Sequence, residues 1–189
     1  WGPLHLVYEE GGTAKTTIGN PCPVVDQRTG TIWLTFCRDN RDVLVTSSTD
    51  DGLTWSVPVE ITKDVKPPDW GWYATGPGVG IQLRHGPHAG RLVIPCDHRE
   101  KENGEWIMHS HVFFSDDGGK TWKLGGSADK HTDECQVVEL TDGTLLLNMR
   151  NYWGTTGKQP DKGNRRALAW SKDGGATWSD LRFDAALVE

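Results

Sequence analysis

Short apolar-rich runs, some of them alternating with polar residues, dominate the chain. They cover Ile32–Cys37, Val43–Ser47, Leu92–Cys96, His109–Phe114, Thr144–Met149 and Ala167–Trp170. Each is four to six residues long, rich in Val, Ile, Leu, Thr and aromatic residues, and bounded by Gly, Asp or Asn. A period of two with such punctuation predicts half-buried β-strands joined by tight turns. No stretch repeats its apolar residues at helical spacing, so an all-β fold is expected.

The strands are organised by a repeat. The pattern Ser-x-Asp-x-Gly-x-Thr-Trp occurs three times without mismatch, as Ser48–Trp55, Ser115–Trp122 and Ser171–Trp178. Each copy follows an alternating run, and the copies recur at intervals of about 55–65 residues. In each octet the Asp (Asp50, Asp117, Asp173) can accept hydrogen bonds from backbone N–H groups just after it. The Gly (Gly52, Gly119, Gly175) supplies a positive φ, and the Trp (Trp55, Trp122, Trp178) anchors the turn with a large apolar surface. The octet is therefore one hairpin used three times, in units of about four strands. Such units are the size of propeller blades. Three blades do not close a ring, and the open edges this implies are a liability in an isolated sheet.

Composition agrees. Among 189 residues there are 23 Gly, 10 Pro and 10 Trp, a density of turn formers and large anchors unlike that of a helical protein. The net charge is −6 with no basic run, which argues against nucleic acid as a partner. No apolar stretch approaches the roughly 20 residues of a membrane-spanning helix. Cys22, Cys37, Cys96 and Cys135 are far apart, form no CxxC pair, and read as small buried apolar residues. His109-Ser110-His111 puts two imidazoles on one strand face, but no third ligand stands at a recognisable spacing. No metal and no cofactor is expected. The charged run from His98 to Glu105 reads as a solvated loop, and Trp70, Trp72 and Tyr73 as an aromatic loop that suits sugar stacking and core packing equally well.

The octet is the Asp-box, or BNR repeat, and the stretches around it resemble the sialidase (exo-α-sialidase, neuraminidase) family. They include Asn20-Pro21-Cys22-Pro23, Thr46-Ser47-Ser48-Thr49-Asp50, Gly76-Pro77-Gly78, Arg91-Leu92-Val93-Ile94-Pro95, Asp133-Glu134-Cys135-Gln136-Val137 and the closing Leu187-Val188-Glu189. The resemblance implies a six-bladed β-propeller of sialidase type, of which residues 1–189 are about three blades. The chain opens on Trp1-Gly2-Pro3, and it is expected to be part of a single propeller domain truncated at both ends. It also implies removal of terminal sialic acids from glycoproteins, glycolipids and oligosaccharides. Such substrates favour a secreted or periplasmic setting, while the motifs leave cytoplasmic and lysosomal ones open.

Sialic acid carries a carboxylate on its anomeric carbon, and a carboxylate nucleophile would meet like-charge repulsion there. The family instead uses a Tyr nucleophile activated by a Glu, an Asp acid/base, and three Arg that hold the substrate carboxylate. By this resemblance Glu134 is the Tyr-activating carboxylate and Arg150 the middle Arg of the triad. A hairpin through Thr141-Asp142-Gly143 brings both to one rim of the sheet. Asp97 and His98 stand where the family places pocket-lining residues, and Arg38 and Asp39 where a loop approaches the substrate. The remaining catalytic groups have no counterpart here: Tyr8, Tyr73 and Tyr152 do not fit the nucleophile's context. The chain alone is expected to be inactive. Two other readings stay open: an inactive Asp-box propeller that binds glycans or scaffolds a partner, and a different glycoside hydrolase on the same fold.

Overall fold

The computed structural model describes residues 2–13, 15–151 and 165–188. Thirteen strands among these residues form three antiparallel sheets, each a meander in chain order. The first sheet runs β1 (Ile18–Asp26), β2 (Thr31–Arg38), β3 (Asp42–Ser48) and β4 (Val59–Glu60). The second has an inner edge split between β5 (Tyr73–Thr75) and β6 (Ile81–Gln82), followed by β7 (Leu92–Glu102), β8 (Glu105–Ser115) and β9 (Lys123–Ser127). The third runs β10 (Thr132–Glu139), β11 (Leu145–Asn151), β12 (Arg165–Ser171) and β13 (Arg182–Val188). Helical structure is confined to a single turn at Thr62–Val65 and a 3₁₀ turn at Gly86–His88. None of the described helices is long and apolar enough to cross a membrane.

The middle sheet shows why period-two patterning builds this stack. Successive residues of a strand face opposite sides. On β7, Leu92, Ile94 and Cys96 enter a core shared with the first sheet, where they meet Val24, Val43, Tyr73, Phe113 and Trp122. Val93, one residue out of phase, enters a second core with Val112, Phe114, Leu145, Leu147 and Met149. The four cysteines are free and buried in these cores, and burial pushes the Cys22 thiol up to about 12 and the Cys37 thiol up to about 11. They are packing groups, not nucleophiles.

The three Asp-boxes are nearly superimposable in their bonding. In each, the Ser hydroxyl donates to the Asp Oδ1 at 2.8 Å, and the Gly N–H donates back to that Ser hydroxyl at 2.8–2.9 Å. The Thr N–H donates to Asp Oδ1 at 2.9 Å and the Thr hydroxyl to Asp Oδ2 at 2.6 Å. Their Trp residues differ. Trp122 is buried edge-on to Trp33 and Phe113. Trp55 is half-buried and donates to its own turn at Gly52, and Trp178 donates to Gly126 of the neighbouring sheet.

One expectation fails. The run from His98 to Glu105 is no loop: β7 and β8 pair continuously from Leu92↔Ser115 to Glu102↔Glu105. The connection is Asn103-Gly104, with φ of 50° and 89°. That is the Asn-Gly hairpin signal, whose left-handed pair matches the twist of the flanking strands.

Candidate active site

Strand β10 enters the third sheet through a bulge. Thr132 pairs with Asn151 and Cys135 with Met149, so Asp133 and Glu134 together face the single residue Arg150 on β11. Two carboxylates are thereby aimed at one guanidinium, the re-aiming that bulges provide. Glu134 Oε2 accepts from Arg150 Nη1 at 3.1 Å, and Asp133 Oδ2 lies 3.7 Å from the same nitrogen. Arg150 is 39% and Glu134 50% exposed, so this pair opens to solvent, whereas Asp133 is nearly buried. The strand β1 carries a matching bulge between Gly19 and Cys22 at the same end of its own sheet.

Behind this pair stands Asp97. It is fully buried in the middle of β7, opposite Ser110 and on the face turned toward the third sheet, and no donor among the described residues reaches its carboxyl oxygens. Burial raises it well above the usual carboxylate range, and the adjacent carboxylates of Asp133 and Glu134 push the same way. Asp133 is also raised, chiefly by burial. Two carboxyls in such contact cannot both ionise. Burial and the neighbouring carboxylates thus favour the protonated form of Asp97, and Asp133 in turn faces Arg150. Ser110 and Thr132 fix the approach of the two sheets: the Ser110 N–H donates to Thr132 Oγ1 at 2.8 Å, and the Ser110 hydroxyl to the Asp133 carbonyl. On the other side of Glu134, Arg166 donates through Nε to Asn148 Oδ1 at 2.7 Å and approaches the Glu134 carbonyl at 3.5 Å.

The structure thus brings Glu134, Arg150 and Asp97 together and adds Asp133 and Arg166. Neither of the added residues stands out by type or position in the sequence; the signal was a bulge, which becomes visible only as a broken register. His98 is a correction. It neighbours Asp97 in the chain but faces the opposite side of β7, where it is fully buried, stacked on Trp70 at 3.2 Å and bonded to His111. Trp70 and Tyr73 are likewise consumed by this buried aromatic cluster, with Tyr73 hydroxyl 2.9 Å from His111 Nε2. Arg38 ends β2 opposite Ile18, but its guanidinium is held by Asp42, Glu10 and Glu60 at 2.7–3.0 Å. Asp39 accepts from the Thr17 N–H at 2.7 Å and has φ of 52°. Neither contacts the Glu134 group. Tyr152 lies outside the described residues.

The Asp-boxes sit at the other rim. The third box begins at Ser171, which pairs with Leu145, five residues along β11 from Arg150. At about 3.3 Å per residue that is a separation of roughly 17 Å. The boxes staple turns and take no part in the Glu134 group.

Comparison with known proteins agrees with this architecture. The family model of the BNR repeat-like domain matches residues 1–187. The chain is 32% identical to a sialidase of Bacteroides fragilis, over 94% of this chain and 34% of that protein. It is 34% identical to a sialidase of Micromonospora viridifaciens, over 100% of this chain and 30% of that one. It therefore spans about a third of the length of these relatives. Among solved structures, the Hadza microbial sialidase Hz136 superposes with a TM-score of 0.74 at 32% identity, covering 88% of this chain and 33% of that one. The leech intramolecular trans-sialidase shares the fold at 17% identity, with a TM-score of 0.70. With three Asp-boxed sheets stacked in sequence order and a match along almost its whole length, the chain belongs to the BNR repeat-like family of sialidases.

Proposed function

We propose that the chain is part of a single propeller domain of an exo-α-sialidase, and that Glu134 and Arg150 belong to its substrate pocket. The observation that carries this reading is the solvent-open contact between Glu134 and Arg150 at 3.1 Å, set on a bulge beside the buried Asp97–Asp133 pair. A guanidinium that keeps its charge at all working pH values and offers a planar fork suits the carboxylate of a terminal sialic acid. A carboxylate 3 Å from that fork is placed to take the proton of a tyrosine nucleophile attacking the anomeric carbon next to the bound carboxylate. A neutral nucleophile avoids the repulsion an anionic one would meet there. The acid/base Asp, the nucleophile and two further Arg would come from parts of the domain this chain does not span. The substrates would be sialylated glycoproteins, glycolipids and oligosaccharides, and the 189 residues alone would not turn them over.

One observation favours the alternative of an inactive glycan-binding or scaffold propeller. Arg150 already faces Glu134 and Asp133, so its charge is matched without a ligand. Turnover of a fluorogenic sialoside separates the two readings. In the complete protein, Glu134→Gln should lower kcat by about 10²–10⁴-fold, the usual effect of losing a proton acceptor, with the fold intact by circular dichroism. Unchanged kinetics would remove Glu134 from the mechanism.

A further inference from the structure

We propose that Glu100, Glu102 and His109 form a binding site for one divalent metal ion of the zinc class on the β7–β8 hairpin. The site stands apart from the Glu134 group and does not rest on the sialidase reading.

The hairpin register assembles it. With Asn103-Gly104 as the turn, His98 lies directly opposite His109. Residues two apart on a strand share a face. His98, Glu100 and Glu102 of β7 therefore line up on the same side as His109 and His111 of β8. His109 Nε2 lies 3.3 Å from Glu100 Oε1 and 3.2 Å from Glu102 Oε1, and the three ligand atoms all fall within 4.8 Å of one another. Ligand atoms at about 2.1 Å from a tetrahedral ion are roughly 3.4 Å apart. The two distances from the imidazole are edges of such a tetrahedron.

The hydrogen bonds around the cluster orient its lone pairs inward. His109 Nδ1 lies 3.1 Å from the Ala128 carbonyl, which can only accept, so Nδ1 carries the hydrogen. Nε2 of the neutral ring then turns a lone pair toward two carboxylates. The approach of Nε2 to two carboxylates is bridged by a second ring proton or by a bound cation, and a ring N–H bonded to a backbone carbonyl is the support that metal-bound histidines use. The outer carboxylate oxygens are held elsewhere. Trp70 Nε1 donates to Glu100 Oε2 at 3.1 Å and Lys130 Nζ to Glu102 Oε2 at 3.0 Å, which leaves both Oε1 atoms to His109.

A fourth side chain borders the cluster. His98 is fully buried, its Nε2 has no hydrogen-bond partner, and that nitrogen lies 3.9 Å from Glu100 Oε2. That oxygen is the one Trp70 holds, so His98 borders the site from behind Glu100 and is not one of the three converging ligands. Imidazole with two carboxylates selects borderline ions such as Zn²⁺ over Ca²⁺ or Mg²⁺, which take oxygen alone. Glu100 and Glu102 are about a third exposed (34% and 31%), so an ion can enter from their side. Bound there, it would tie the tip of the hairpin to the Trp70 segment through Glu100.

Zinc chloride titrated into the chelator-treated, complete protein tests this, by calorimetry with metal content measured after dialysis. One Zn²⁺ per chain is expected, with affinity at least about tenfold weaker in His109→Ala and in Glu102→Gln, and unchanged in His85→Ala on the opposite rim. Circular dichroism checks each variant. Should the buried His109 position not tolerate Ala, Glu102→Gln, which keeps shape at a partly exposed site, decides alone. Absence of stoichiometric uptake by the folded protein, or uptake undiminished by Glu102→Gln, overturns the assignment.

Discussion

The glycine of the Asp-box gives a graded test of how the repeat is built. Gly52, Gly119 and Gly175 hold the same place in three nearly identical turns, with φ of 86°, 93° and 91°. An Ala at any of them meets the same left-handed strain, about 1–2 kcal/mol. What a new Cβ would touch differs. At Gly52 the nearest atom is Trp55 Cζ2 at 3.6 Å, an ordinary contact. At Gly175 it is Val112 Cγ2 at 3.0 Å, close enough that the valine must yield. At Gly119 it would overlap the indole of Trp33. That ring is wedged edge-on against Trp122 at 6.2 Å between centroids, so it cannot swing aside cheaply. Overpacking of this kind adds about 1–3 kcal/mol. Gly52→Ala should therefore cost about 1–2 kcal/mol, Gly119→Ala about 2–5, and Gly175→Ala an amount between them. Urea denaturation of the three variants reads this directly, and for a domain of this size each kcal/mol corresponds to about 2–4 °C in Tm. If Gly119→Ala and Gly52→Ala agree within about 0.5 kcal/mol, the inter-sheet clash is wrong. If none of the three costs stability, the left-handed turn is wrong as well.

Two further outcomes concern pH. Despite some burial, which acts the other way, bonds from Thr and Ser hold the Asp117 and Asp173 carboxyls at about 2, and the Thr54 hydroxyl and N–H do the same for Asp50. Carboxyls depressed in the fold contribute stability above their ordinary value near 3.8 and lose it as pH falls toward 2. Urea midpoints should drop across that window in the wild type and drop less in an Asp117→Asn variant; equal slopes would refute the box bonding. Asp97 has the opposite sign. Its folded carboxyl holds a proton that the unfolded chain releases, so it subtracts stability as pH rises above about 4. Asp97→Asn, which mimics the protonated form, should fold normally and lose less stability than the wild type between pH 5 and pH 8. A variant that unfolds at neutral pH would show that Asp97 serves as an anion.

Much of this could be read from residue order because its bonds are short-range. The Ser, Asp, Gly and Thr of each box lie within six residues, so the octet carries nearly all the information that its turn needs. The strands were visible for the same reason: apolar runs and their punctuation are local properties, and the stack of sheets follows where a strand such as β7 has apolar residues to bury on both faces. The Glu134–Arg150 contact, 16 residues apart across one hairpin, was reachable through the turn Thr141-Asp142-Gly143. Its sharpest feature was not, since the bulge that sets Asp133 and Glu134 against one arginine comes from a break in pairing that neither strand announces.

Contacts between sheets were decided by tertiary structure alone. Asp97 and His98 are neighbours in the chain, yet the parity of β7 sends one to a carboxyl cluster and the other into a buried aromatic stack. Glu100 and Glu102 looked like solvated charge until the Asn103-Gly104 turn folded them onto His109. Which face a residue takes, and what waits opposite, depends on register and on the sheet packed above it. Those are set by the whole assembly of strands and by no single one of them.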